Sequence, residues 1–335
     1  MLVYLLLVPI LIVGVKVTPA FQPFLLKMAV YLNGLYFMIV TNDLPKKFRG
    51  SNYIGSQASE QKRTRRVIRM VFIRHGQSVW NSLFNSYNLG WPARAASAIL
   101  DETRYLFTDP LGSVIIDSPL SAKGRQEANE LAEFVRSAKD KISFDTTSSV
   151  VVCSNLRRAM ETAVIGLGPR IFSSGERIVI DSSLQEASRN IDAQTLSTEP
   201  GMITPSKMGK LNTPQSLGSV FDARLNAGNK SRHANVYRRM DDFVTRLFGE
   251  ASQKSYVPAA GAHLGNAALK EVIVVGHSGY FRCFLRRFLP SASNHVIKSK
   301  KLQNCGVVAF DLVRNESTCE VYIDESTITV LYKGF

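Results

Sequence analysis

Residues 70–81 read MVFIRHGQSVWN. Met70, Val71, Phe72 and Ile73 make a short apolar run suited to a buried strand, and the run stops at Arg74-His75-Gly76. A strand ending this way delivers a cation and an imidazole to the carboxyl edge of a sheet, where open α/β sheets bind ligands. His75 is a nitrogen nucleophile near neutral pH, Arg74 is a fixed cation beside it, and Gly76 lets backbone N–H groups come close to an anion. A phosphoryl group suits all three.

The same pattern returns near the other end of the chain. Residues 271–279, EVIVVGHSG, form a second buried run closed by Gly276, His277 and Ser278. Two histidines delivered alike from two parallel strands can face one another across a single pocket. Between them, residues 149–153 read as a further buried strand. In the segment that follows, SNLRRAMETA at 154–163, Leu156, Ala159, Met160, Ala163 and Leu167 make a helical core stripe. Arg158 lies off that stripe in the first turn. A cation there opposes the helix dipole, which is reasonable where an anion sits between them.

From 70 onward the pattern is that of one α/β domain. Ser121 opens a helix with Ala128, Leu131, Ala132 and Val135 on one face. A short strand is expected at 178–180, a helix at 234–251, a helix burying Phe281, Phe284, Leu285 and Phe288, a strand at 306–312, and a closing hairpin of 318–323 with 327–332. Two long insertions, at about 82–117 and 193–233, resist the pattern. The first is expected to act as a lid or substrate wall, and the second, rich in Ser, Thr, Gly, Asn and Pro, to be poorly ordered or variable.

With 41 Lys and Arg against 27 Asp and Glu, the net charge of +14 favours anionic partners without choosing among them. Eight basic side chains against two acidic ones fall within residues 42–69, so that stretch reads as a basic, flexible linker. No aromatic residues interleave its densest part, so a nucleic-acid arm is not expected. Ahead of it, residues 1–15 carry no charge, and a second apolar segment runs from 24 to 41, broken only by Lys27 and Asn33. Residues 1–41 are therefore expected to be a hydrophobic membrane anchor, one span or a hairpin bent at Pro19 and Pro23, in preference to a cleaved signal. Basic residues flanking such a segment stay on the cytoplasmic side, and Lys62, Arg63, Arg65 and Arg66 could touch acidic lipid. The four cysteines, Cys153, Cys283, Cys305 and Cys319, form no CxxC pair or metal-ligand cluster and read as reduced core thiols.

Taken together, RHGQSVWN at 74–81, PLSAKGRQEA at 119–128, SNLRRAMETA at 154–163, LQE at 184–186 and VVGHSG at 274–279 resemble the histidine phosphatase superfamily, in its phosphoglycerate mutase-like branch. The resemblance spans roughly 70–312. It implies a three-layer α/β/α sandwich around a mostly parallel sheet, and a phosphomonoesterase working through a phosphohistidine on His75 with no cofactor. It further implies that Arg74, Arg158 and His277 hold the phosphoryl group, with His277 protonated, that Asn81 lends a hydrogen bond, and that Glu186 protonates the leaving oxygen. Two other readings are a mutase and a membrane scaffold that binds a phosphorylated ligand without turnover. After Glu186 the sequence is Ala187-Ser188-Arg189-Asn190, which lacks the aromatic pair and Gly that mutases resembling this branch place there. Hydrolysis is the expected reaction.

Overall fold

In the computed structural model the described residues are 21–41, 43–44, 65–84, 89–109, 111–204, 217–231, 233, 235–249, 255–261, 265, 267 and 269–335. In chain order the elements are α1 (Phe21–Val40), β1 (Arg65–Arg74), α2 (Val79–Phe84), α3 (Trp91–Thr108), α4 (Ala122–Ser137), β2 (Ser149–Cys153), α5 (Arg157–Gly166), α6 (Gly168–Ser174), β3 (Ile178–Asp181), α7 (Leu217–Val220), β4 (Phe221–Leu225), α8 (Val236–Phe248), β5 (Glu271–Gly276), α9 (Ser278–Phe288), β6 (Val307–Asn315) and β7 (Val321–Tyr332). The strands form a single seven-stranded sheet in the order β4-β3-β2-β5-β1-β6-β7. The pairings from β4 to β1 are parallel, and β6 is antiparallel to both its neighbours.

Strand alternation sends successive side chains to opposite faces. Met70 and Phe72 of β1 join Val272 and Val274 of β5 in a core covered by Met240 and Phe243 of α8 and Phe281 and Phe284 of α9. Val71 and Ile73 join Ile273 and Val275 in a second core, under Leu131 of α4, Met160 of α5 and Ile171 of α6. This is the three-layer α/β/α sandwich that the resemblance implied. The β1–β5 register sets Arg74 opposite Gly276, which makes His75 and His277 the next residues on adjacent parallel strands.

Several boundaries move. β1 begins at Arg65 rather than Met70, because its first half pairs with β6 as far as Asn315. Arg66 therefore sits in the sheet, its guanidinium donating to the Phe248 carbonyl, while Lys62 and Arg63 lie outside the described residues. The expected closing hairpin is one strand, β7, whose pairing with β6 skips between Asp324 and Thr329. There Asp324 accepts from the Ser326 N–H and Thr327 donates to the Asp324 carbonyl, so the chain bulges and then resumes its direction. Cys153, Cys283 and Cys305 are buried, but Cys319 is exposed in the β6–β7 turn.

The polar stretch 193–233 is also more structured than its composition suggests. Residues 205–216 lie outside the described residues, but the remainder supplies β4 at the sheet edge and a tightly bonded loop. Asn226 donates to the carbonyls of Ser197 and Met202, and Thr195 donates to Asp117 and to the Asn155 carbonyl. These side chains satisfy buried backbone groups.

α1 is long and apolar enough to cross a membrane, the one such helix among the described residues. One of its faces is nevertheless packed on the domain: Lys27, Val30, Gly34 and Phe37 are buried. Lys27 Nζ lies 2.7 Å from Glu102 Oε1 of α3 and donates to the Gly112 carbonyl at 2.7 Å. A Cβ on Gly34 would stand 2.8 Å from Ile191 Cγ1, so glycine is what permits this close approach. The opposite face stays exposed, with Leu32 at 65% and Ile39 at 81%.

Candidate active site

Three adjacent parallel strands end together. Past the end of β1, the His75 N–H continues the ladder to the Gly276 carbonyl at 3.0 Å, and past β2 the Ser154 N–H bonds the Val275 carbonyl at 3.1 Å. The chain after β1 then runs tightly against α4. A Cβ on Gly76 would stand 2.6 Å from the Gly124 carbonyl oxygen, and one on Gly124 2.0 Å from that of Gln77. Ser121 caps α4 by accepting from the Gly124 N–H at 3.0 Å.

His75 is buried, and its Nδ1 lies 2.6 Å from the Gly76 carbonyl oxygen. A carbonyl only accepts, so Nδ1 carries the proton and Nε2 is left as the lone-pair nitrogen. Burial, then Arg158 and Arg74, hold the imidazole well below its ordinary pKa, which favours its unprotonated form. The His75 and His277 ring centroids are 5.1 Å apart and tilted by 58°. His277 Nε2 is 2.8 Å from Ser154 Oγ, and its Nδ1 is buried without a hydrogen-bond partner among the described residues.

Protonation of His277, expected from the sequence, is opposed by its surroundings. Burial, followed by the charges of Arg158 and His75, pushes its pKa well down. The neutral imidazole is thereby favoured, and an anion seated beside it would pull the pKa back up.

Arg74 donates to the Leu302 carbonyl at 2.5 Å, and its buried Nε has no partner among the described residues. Burial lowers its pKa to about 10, still far above neutrality. Arg158, in the first turn of α5, donates to the Asp192 carbonyl at 2.8 Å and pairs with Asp192 Oδ2 at 3.2 Å. Glu186 follows the 3-10 turn Ser182–Leu184. Its Oε1 accepts from the N–H groups of Ala187 (2.8 Å) and Tyr280 (3.0 Å), the latter in the first turn of α9.

All six expected site residues, Arg74, His75, Asn81, Arg158, Glu186 and His277, come together. The first five line one polar cavity of about 200 Å³, and His277 stands behind it against His75. Trp80, Ser188, Asn190, Asp192, Arg282 and Lys301 also line it and were not singled out in the sequence. Arg282 had a signal, lying five residues after His277 on the pocket end of α9; Asp192 and Lys301 had none. A larger cavity of about 500 Å³ between α1 and residues 194–233 is lined by none of those six side chains.

The model of the histidine phosphatase superfamily, branch 1, matches residues 114–325. The chain belongs to that superfamily. Arg74 and His75 precede the matched stretch, and it is the sheet register that places them beside Arg158 and His277. No curated protein matches the sequence. Among solved structures, a mycobacterial glucosyl-3-phosphoglycerate phosphatase is 16% identical, with 80% of this chain and 100% of that one covered, at a TM-score of 0.37. A phosphoglycerate mutase from Bacillus anthracis str. Sterne is 15% identical, with 77% and 92% covered, at a TM-score of 0.37.

Proposed function

We propose that this histidine phosphatase hydrolyses phosphomonoesters through a phosphohistidine on His75. The observation that carries the reading is the buried His75, its Nδ1 held at the Gly76 carbonyl, lining one cavity with Arg74 and Arg158. In the first step Nε2 attacks phosphorus and the bond to the leaving oxygen breaks. Charge spread over the transferring phosphoryl oxygens is met by Arg74, Arg158 and His277, and Asn81 donates a hydrogen bond. The leaving oxygen takes a proton from Glu186. Water then attacks the phosphohistidine, Glu186 accepts the water proton, and inorganic phosphate departs with His75 restored.

The cavity volume and its polar lining favour a small polar leaving group. Membrane association belongs to the same proposal. The outer face of α1 offers Leu32, Leu35 and Ile39, and the uncharged residues 1–15 lie ahead of it in the chain. Because Lys27 is tied to Glu102, the helix is proposed to lie along the lipid surface with the domain beneath it.

Trapping in an alkaline quench, in which a phosphohistidine survives, tests the chemistry. With a labelled phosphomonoester, acid-labile phosphate on His75 is expected, together with loss of turnover in His75→Ala. A His75→Ala protein that releases phosphate at the wild-type rate overturns the reading.

A further inference from the structure

We infer that Asp43, just beyond the N-terminal helix, is a positioning residue for the proton donor Glu186. The inference rests on the phosphatase reading above and adds to it a residue 143 positions upstream in sequence.

Asp43 is fully buried and binds two buried cations. Its Oδ2 lies 2.8 Å from Lys230 Nζ, and its Oδ1 lies 2.7 Å from Arg239 Nη2. Each cation in turn grips the backbone around Glu186. Lys230 Nζ donates to the carbonyls of Glu186 at 2.7 Å and Ser188 at 2.6 Å, which together with Asp43 uses all three of its protons. Arg239 Nη1 donates to the Gln185 carbonyl and, at 3.4 Å, to that of Ser183. The clamp thus holds four carbonyls between 183 and 188.

The carboxylate itself is fixed from the other side, where the Tyr280 N–H bonds Oε1 and a Cβ on Gly279 would stand 2.5 Å from that oxygen. With so little room, Glu186 reaches the leaving oxygen only if its backbone stays where Lys230 and Arg239 hold it. Without Asp43 those two buried cations lose the carboxylate paired with both, and relief comes by moving the segment they carry. Asp43 is itself seated by local bonds: its N–H donates to Thr41 Oγ1, and its carbonyl accepts from the Val236 N–H. The end of α1 is therefore joined to the catalytic loop through one carboxylate.

The test exploits leaving-group chemistry. A nitrophenolate leaves without help, whereas an alkoxide needs the proton from Glu186, a contribution of about 10²- to 10⁴-fold. In the full-length protein, Asp43→Asn is expected to lower kcat/KM, which reads only the steps up to departure of the leaving group, by about 30-fold or more for 2-hydroxyethyl phosphate. For p-nitrophenyl phosphate kcat/KM should fall by less than about threefold, with unchanged inhibition by inorganic phosphate. Arg239→Lys, which keeps the charge count but loses the two-pronged grip on the loop, is expected to show the same selective loss and serves if Asp43→Asn does not fold. Glu186→Gln is measured alongside. Selective loss in Glu186→Gln with equal losses on both substrates in the Asp43 and Arg239 variants overturns the positioning role alone. Equal losses on both substrates in Glu186→Gln overturn the phosphatase reading of Glu186 on which it rests.

Discussion

Glu161 offers a pH-dependent test of how the site wall is built. It sits in α5, three residues past Arg158, and is buried; its Oε2 accepts from the Leu120 N–H at 2.7 Å, whereas Oε1 has no partner among the described residues. Burial raises its carboxyl from 4.5 to about 7, against the opposing pull of the Leu120 N–H, Arg157 and Arg125. The folded state therefore holds this proton more tightly than the unfolded chain does. Stability from that proton is complete below the unfolded value of 4.5, declines as pH rises, and is gone above about 7. At 1.36 kcal/mol per unit, the full cost of ionising the group at pH 8 is about 3 kcal/mol. Glu161→Gln keeps an acceptor for Leu120 and removes the ionisation. Relative to wild type, the variant should gain about 2.5 kcal/mol between pH 5 and pH 8, since the cost of its unpaired amide is the same at both values and cancels. Urea unfolding of both proteins at the two pH values reads this difference, and all groups common to the two proteins cancel. A wild-type-to-variant difference that stays constant from pH 5 to 8, or changes in the opposite sense, refutes the argument.

Three other expectations follow from particular contacts. Gly76→Ala places a methyl against the Gly124 carbonyl, so β1 and α4 must separate at the site; a loss of about 1–3 kcal/mol in urea unfolding and a marked fall in kcat are expected. Arg282 and Lys301 line the cavity with no carboxylate partner among the described residues, so Arg282→Gln should raise KM about tenfold, or about 1.4 kcal/mol, for phosphoglycolate. KM for 2-hydroxyethyl phosphate, which lacks the second anion, should change little, and steady-state kinetics on the pair decide it. Ile39→Glu, on the exposed face of α1, should leave thermal stability within about 0.5 kcal/mol yet lower sedimentation with lipid vesicles, and unchanged sedimentation would remove that face from membrane contact.

What could be read from the sequence was what local pattern encodes. β1, β2 and β5 are continuous apolar runs because both faces of a parallel sheet are covered, and their ends deliver His75 and His277 without knowledge of any partner. α4, α5, α8 and α9 carry stripes at helical spacing. β4 was missed because FDARL is an edge strand: Phe221 and Leu225 are buried, Arg224 faces water, and five residues in a polar stretch give little period. The 193–204 loop was missed for a different reason. Its Ser, Thr and Gln look solvated until Asp117, Asn155 and Asn226 are folded around them, and those partners come from distant parts of the chain. α1 was read by hydropathy alone, which cannot show that Lys27 would meet Glu102 75 residues away.

The same long-range pairing fixes where the functional unit begins. Motifs place the histidine phosphatase-like domain at residue 70 onward, and a chain cut there keeps every residue proposed to touch phosphate. It loses Asp43, however, and leaves Lys230 and Arg239 buried with no counter-charge from the N-terminal segment. It also strips Lys27 from Glu102, and the first five residues of β1 from their pairing with β6. Breaking one buried pair costs about 3–5 kcal/mol, against the ~5–15 kcal/mol that separates a folded domain from its unfolded chain. A 70–335 chain should therefore unfold at markedly lower urea than the full protein, and on alkyl phosphates it should resemble Asp43→Asn. Equal urea midpoints would mean that α1 and Asp43 merely rest on a domain already complete without them.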